Sequence, residues 1–116
     1  MNQRSKDVIN FILDEEIEKD KCELAVARRF DPMPAEIRQE WEADLYMCML
    51  AKQNFSKHAD FIVGILNHAI TEQEDRLRYE RYPTPADRLA ASQELLDMKS
   101  ARNLLELRAV ATQCVR

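Results

Sequence analysis

A single glycine, Gly64, in 116 residues is the strongest constraint on this chain. Sheet folds turn on residues with positive φ, and loops that cradle phosphate need backbone without a side chain in the way, so both consume glycine. One glycine supplies neither a set of hairpins nor a phosphate loop, which leaves helices joined by short connections. The four prolines sharpen this reading. They fall in two pairs, Pro32/Pro34 and Pro83/Pro85, and each pair ends one helix and opens the next.

Between these marks the apolar spacing is helical. Ser5 is placed to cap a first helix whose Val8, Ile9, Phe11, Ile12 and Leu13 form a broad apolar face, thinning to Ile17 alone between Asp14 and Lys21 and returning at Cys22, Leu24, Val26 and Phe30. The expectation is one long helix with an exposed, charged waist, and the alternative is two helices broken near Asp20. After Asp31-Pro32-Met33-Pro34, the residues Ile37, Trp41, Leu45, Cys48 and Met49 share one helical face. Asn54-Phe55-Ser56 marks a short turn with Asn54 or Ser56 as the cap, and Phe61, Ile62, Ile65, Leu66, Ala69 and Ile70 carry the third helix. Thr84, Pro85 and Asp87 are the clearest helix start in the chain. The last helix has two adjacent stripes, Leu89/Leu96/Leu104/Leu107/Val110 and Leu95/Met98/Ala101/Leu105/Ala109, a face wide enough to place it at the centre. The predicted fold is therefore all-α: one domain over residues 1–116, an elongated bundle of about four helices spanning roughly 5–30, 34–53, 56–82 and 85–114. Helices of 20 to 30 residues are about 30–45 Å long, and a bundle that long in so small a chain exposes side surface that dimerisation often buries.

Composition excludes several function classes. With 46% hydrophobic and 33% charged residues the balance is that of a globular chain. The net charge is −4, and residues 1–56 hold 12 acids against 8 bases while residues 57–116 hold 9 of each, which disfavours nucleic acid as a partner. Cys22, Cys48 and Cys114 are odd in number and widely spaced, as free thiols in a reducing compartment are. The polar amino terminus and the short Val8–Leu13 run suit neither a signal sequence nor a membrane span, so the expected location is cytoplasmic.

Catalysis finds little footing. Walker loops and nucleophile elbows need glycines the chain lacks, and nothing in the sequence brings a cysteine to either histidine. Di-iron bundles use Glu-x-x-His pairs, absent here. His68 and Glu72 at i, i+4 are the one place for a metal, and a surface contact is the reading preferred for them. No cofactor, metal site or enzymatic activity is expected. The acidic run through Asp14, Glu15, Glu16, Glu18, Asp20 and Glu23 reads as a solvated face.

The richest binding feature is the run from Glu72 to Tyr82, where Arg76, Arg78 and Arg81 interleave with Tyr79 and Tyr82. Arginine beside tyrosine anchors protein partners, although Glu72–Arg76 and Glu74–Arg78 are also spaced as ion pairs on a solvated helix. Met47-Cys48-Met49-Leu50 points apolar side chains in every direction around a helix, so one of them, Met47 foremost, must leave the core face. The partner-binding expectation thus rests on Arg76, Arg78, Tyr79, Arg81, Tyr82 and Met47. The functional expectation is a non-enzymatic helical interaction module, an adaptor, regulator or inhibitor that binds a protein partner, as short helical chains of the accessory or phage-encoded kind often do. The alternatives are an assembly protein acting as a homo-oligomer such as a homodimer, and a metal-binding bundle around His68 and Glu72.

Overall fold

The computed structural model describes residues 1–29 and 33–114, with side chains described over 1–26 and 33–108. Phe30, Asp31, Pro32 and the side chains of Ala109, Val110 and Cys114, which figured in the expectations above, lie outside the described residues. Four helices follow one another: α1 Gln3–Arg29, α2 Ala35–Gln53, α3 Ala59–Tyr79 and α4 Pro85–Cys114. The all-α expectation holds, and no strand occurs among the described residues. No helix there is long and apolar enough to cross a membrane. Gly64 lies inside α3 with ordinary negative φ, and a Cβ built on it meets nothing within 4 Å. Neither backbone nor packing requires the sole glycine.

The helix ends follow local hydrogen bonding. Thr84 Oγ1 accepts the Asp87 N–H at 3.1 Å, so the cap read from Thr84-Pro85-Ala86-Asp87 forms. At α1 the cap is one turn earlier than expected. Asn2 Oδ1 accepts the Ser5 N–H at 2.8 Å, and Ser5 itself is buried in the first turn. Asn54 Oδ1 accepts the Lys57 N–H at 3.1 Å, which caps the turn ahead of α3 and not the helix itself. α3 stops at Tyr79, where the Glu80 N–H donates back to the Arg76 carbonyl at 2.9 Å, so Arg81 and Tyr82 belong to the connection into α4.

α1 is the spine. It packs against each of the other three helices, whereas α2 and α4 do not touch. Lys52 at the end of α2 pairs with Asp14, which sets α2 antiparallel along the carboxy-terminal half of α1. α4 runs antiparallel beside α3, tied by Gln73 Nε2 to the Ala91 carbonyl (3.1 Å), Arg102 to Asn67 (3.3 Å) and Arg108 to Ser56 (3.0 Å). Arg4 meets Asp97 at 3.0 Å and fastens the start of α1 to α4. The core between them combines Ile9, Ile12, Leu13 and Ile17 with Cys48 and Ala51, with Ala59, Ile62, Leu66 and Ile70, and with Met98, Ala101 and Leu105.

This arrangement corrects the expectation of a central carboxy-terminal helix. Only one of the two α4 stripes is covered, through Met98, Ala101 and Leu105. Leu89, Leu96 and Leu107 of the other face solvent, Leu96 at 58% exposure, and Leu104 is half-buried. The reason is topological: with α2 on the far flank of α1, α4 has neighbours on one side only. The α2 face is corrected as well. Its buried residues are Cys48 and Ala51, while Ile37 and Met49 are exposed and Trp41, Asp44 and Leu45 half-buried.

The molecule measures 50 × 41 × 20 Å, two helix layers thick. Its radius of gyration is 16.4 Å, against about 13 Å for a compact chain of this length. Its accessible surface is 8344 Å², where a typical monomer of this mass exposes roughly 6,600 Å².

Candidate functional site

Two places concentrate polar chemistry. The first is the end of α3 singled out by its arginines and tyrosines. Arg78 sits over the Tyr79 ring, its guanidinium carbon 5.8 Å from the centroid, and Tyr79 is 75% exposed. The expected Glu72–Arg76 and Glu74–Arg78 pairs are not among the ion pairs formed by the described residues. Glu72 instead turns back to His68 at 3.0 Å, the surface contact preferred above, and Glu74 reaches across to Lys99 at 4.0 Å. Arg76 is thereby left facing a depression.

That depression has two connected parts. One, of about 590 Å³, lies between the end of α3 and the start of α4 and is lined by Arg76, Glu80, Tyr82, Asp87 and Glu94. The other, of about 520 Å³, crosses α1, α3 and α4, with Val8, Ile12, Ala69 and Met98 as its apolar lining and Arg4, Asp7, Glu15 and Asp97 as its charged rim. Both share Gln73, Arg76 and Glu94. Gln73 is buried there, and its amide donates to the Ala91 carbonyl at 3.1 Å with a long contact of 3.5 Å to Glu94. Phe11, which the sequence places on the apolar face of α1, lines this groove at 61% exposure. Of the expected partner residues, Arg76 and Tyr82 line the groove, and Arg78, Tyr79 and Arg81 are exposed beside it. Met47 is half-buried on α2, which does not touch α4, and lines neither part of the groove.

The second place lies in the seam between α1 and α2. Here the reading of the acidic run as wholly solvated is overturned. Asp14, Glu15, Glu18 and Glu23 are exposed, but Glu16 is half-buried and Asp20 is only 1% exposed. Asp20 extends the line Ile9–Leu13–Ile17 by one further turn, so helical register carries it inward whatever its charge. Ligand atoms of Asp20, Asp44 and Cys48 lie within 4.8 Å of one another. Neither carboxylate oxygen of Asp20 has a hydrogen-bond partner. Burial, the facing carboxyl of Asp44 and the charge of Glu16 push Asp20 up to about 8, with Lys19 opposing them. The same burial, with Asp44, Asp20 and Glu16, pushes the Cys48 thiol up to about 12, which makes it unreactive as a nucleophile at neutral pH. Glu16 is raised by burial and by Asp44, with Lys19 and His68 pulling the other way.

No protein-family model, no characterised protein and no solved structure matches the chain.

Function therefore has to be argued from these two places alone. Sequence reasoning found the arginines of the first but not Phe11 as a groove residue. It missed the second, whose signal was positional: Asp20 on the buried line of α1 and Asp44 one turn before the buried Cys48 of α2.

Proposed function

We propose that this protein is a non-enzymatic interaction module, an adaptor, regulator or inhibitor that binds a helical segment of a protein partner in the groove across α1, α3 and α4. The observation that carries the reading is the groove's continuity, with Arg76 at the junction of its two parts. The apolar floor of Val8, Ile12, Ala69 and Met98, bordered by charges of both signs, suits an amphipathic helix whose apolar face enters and whose polar flanks meet the rim. Phe11 supplies an aromatic anchor and Arg76 a charged one, the residue types that dominate binding energy at such surfaces. Arg78, Tyr79 and Arg81 extend the contact beyond the mouth.

The excess accessible surface favours a second reading, in which the partner is another copy of the chain. The excess over a typical monomer is roughly 1,700 Å² per chain, about twice the roughly 800 Å² that each partner loses in an interface of standard size.

The test combines capture and light scattering. Phe11→Glu with Arg76→Ala is expected to abolish capture of the partner while leaving the helical circular dichroism and melting temperature within a few degrees of the parent protein. A monomer by light scattering with capture lost in the double variant supports the module. A concentration-independent oligomer that the double variant splits favours self-assembly through the same groove. Undiminished capture by the variant, and by Arg78→Ala with Tyr79→Ala, removes the groove from the account.

A further inference from the structure

We propose that Asp20, Asp44 and Cys48 form a binding site for a divalent transition-metal cation of the zinc class, set in the seam between α1 and α2. Two independent observations carry this. The first is the convergence of three donor atoms from two helices, two carboxylate oxygens and a thiol sulfur, within 4.8 Å of one another. The second is Asp20 itself, 1% exposed and aimed into that cluster with both oxygens unpartnered. A buried carboxylate is retained where something compensates its charge. Among the described residues no ion pair does so. Lys19, the nearest cation acting on it, is exposed, with its ammonium 6.0 Å from the Trp41 ring centroid. The carboxyl groups of Asp20 and Asp44 face each other, and a cation between them takes the place of the proton they otherwise share.

The donor set selects the ion. Magnesium and calcium take oxygen ligands and avoid thiolate, whereas a thiolate with carboxylates suits zinc or cobalt. The helical spacing supports four-coordination. Asp44 and Cys48 are one turn apart on α2, and Glu16 and Asp20 are one turn apart on α1, each pair on one face of its helix. Glu16 is half-buried and interacts with Asp44, and a turn of its side chain would supply a fourth donor. Ligands around tetrahedral zinc lie about 3.3–3.8 Å apart, so the three donors need to close by about 1 Å on binding. The Cys48 thiol proton and the proton held on the Asp20 carboxyl both leave to solvent as the cation enters. Such a site clamps α2 to the half of α1 that no other helix but α3 supports, and it is separate from the groove proposed for a partner.

The test uses the full chain with Cys22→Ser and Cys114→Ser, so that Cys48 is the sole thiol, stripped of metal by a chelator. Zinc is expected to bind one-to-one and raise the melting temperature, and cobalt to give a thiolate-to-metal charge-transfer band in the near ultraviolet. Cys48→Ser should abolish the band, and Asp20→Asn should weaken zinc binding about 100-fold or more. His68→Ala should change neither. The site is refuted if neither ion binds stoichiometrically, if both seam variants bind as tightly as the parent, or if His68→Ala abolishes binding and so moves it to the surface His68–Glu72 pair. Should Asp20→Asn fail to fold, loss or retention of the cobalt band in Cys48→Ser decides the matter.

Discussion

Replacing Asp20 by Asn is expected to stabilise the metal-free protein by about 2–4 kcal/mol at pH 8, a rare sign for a change at a fully buried position. Asp20 is buried without a partner for either oxygen, and its folded-state value is raised from 3.8 to about 8 by burial, Asp44 and Glu16. In the unfolded chain the carboxyl loses its proton near its ordinary value, while in the folded chain it holds that proton to about pH 8. Between these values the folded state binds more protons, so stability contributed by this group is full below about pH 4, falls as pH rises and levels off above about 8. The charged groups acting on Asp20 are Glu16 and Lys19 from α1 and Asp44 from α2, and His68 of α3 acts on Glu16. Asn keeps the shape, never ionises and offers an N–H to the Asp44 carboxyl. Part of the gain is offset because the amide remains in an apolar seam. Urea unfolding of the two proteins at pH 5 and pH 8 checks this: the curves should nearly coincide at the lower pH and separate at the higher. In the presence of zinc the order should reverse, because the parent alone gains the cation's binding energy.

Leu13→Ala is expected to cost about 2–5 kcal/mol, and Leu96→Ala less than about 0.5 kcal/mol. Leu13 is fully buried on α1, which like α3 packs against each of the other helices. Removing its side chain leaves a cavity that rigid helices on several sides cannot close. Leu96 belongs to the longest leucine-rich helix yet faces solvent. Chemical denaturation of both variants compares α1 and α4 as the centre of the fold, and equal losses at the two positions would place α4 there instead.

The helix count was readable because the breaks are chemical. Proline pairs and Thr84 act locally, so the α2 and α4 starts follow from neighbours in sequence. What surrounds a helix is not local. The two leucine stripes of α4 are equally apolar, and only the position of α2 on the far side of α1 decides which is covered. Asp20 is a different failure. Grouped with Glu15, Glu16 and Glu18 as a charge run it reads as solvated, but counted in helical register from Ile9, Leu13 and Ile17 it falls on the core line. Asp44 is half-buried on α2, one turn before Cys48. The sequence carried this information, and only matching α1 against α2 turns it into a site. The groove was half legible: Arg76 and Tyr82 stand out as residue types, whereas Phe11 comes to them only through the packing of α1 on α3 and α4.

The burial of Asp20 in the α1–α2 seam is most directly tested by a carbon-13 NMR titration of the side-chain carboxyls in the metal-free protein. A midpoint for Asp20 near 8 is the expected result. An Asp20 midpoint near the ordinary aspartate value of about 4 would mean that the carboxyl is solvated or ion-paired, and the seam described here would be wrong.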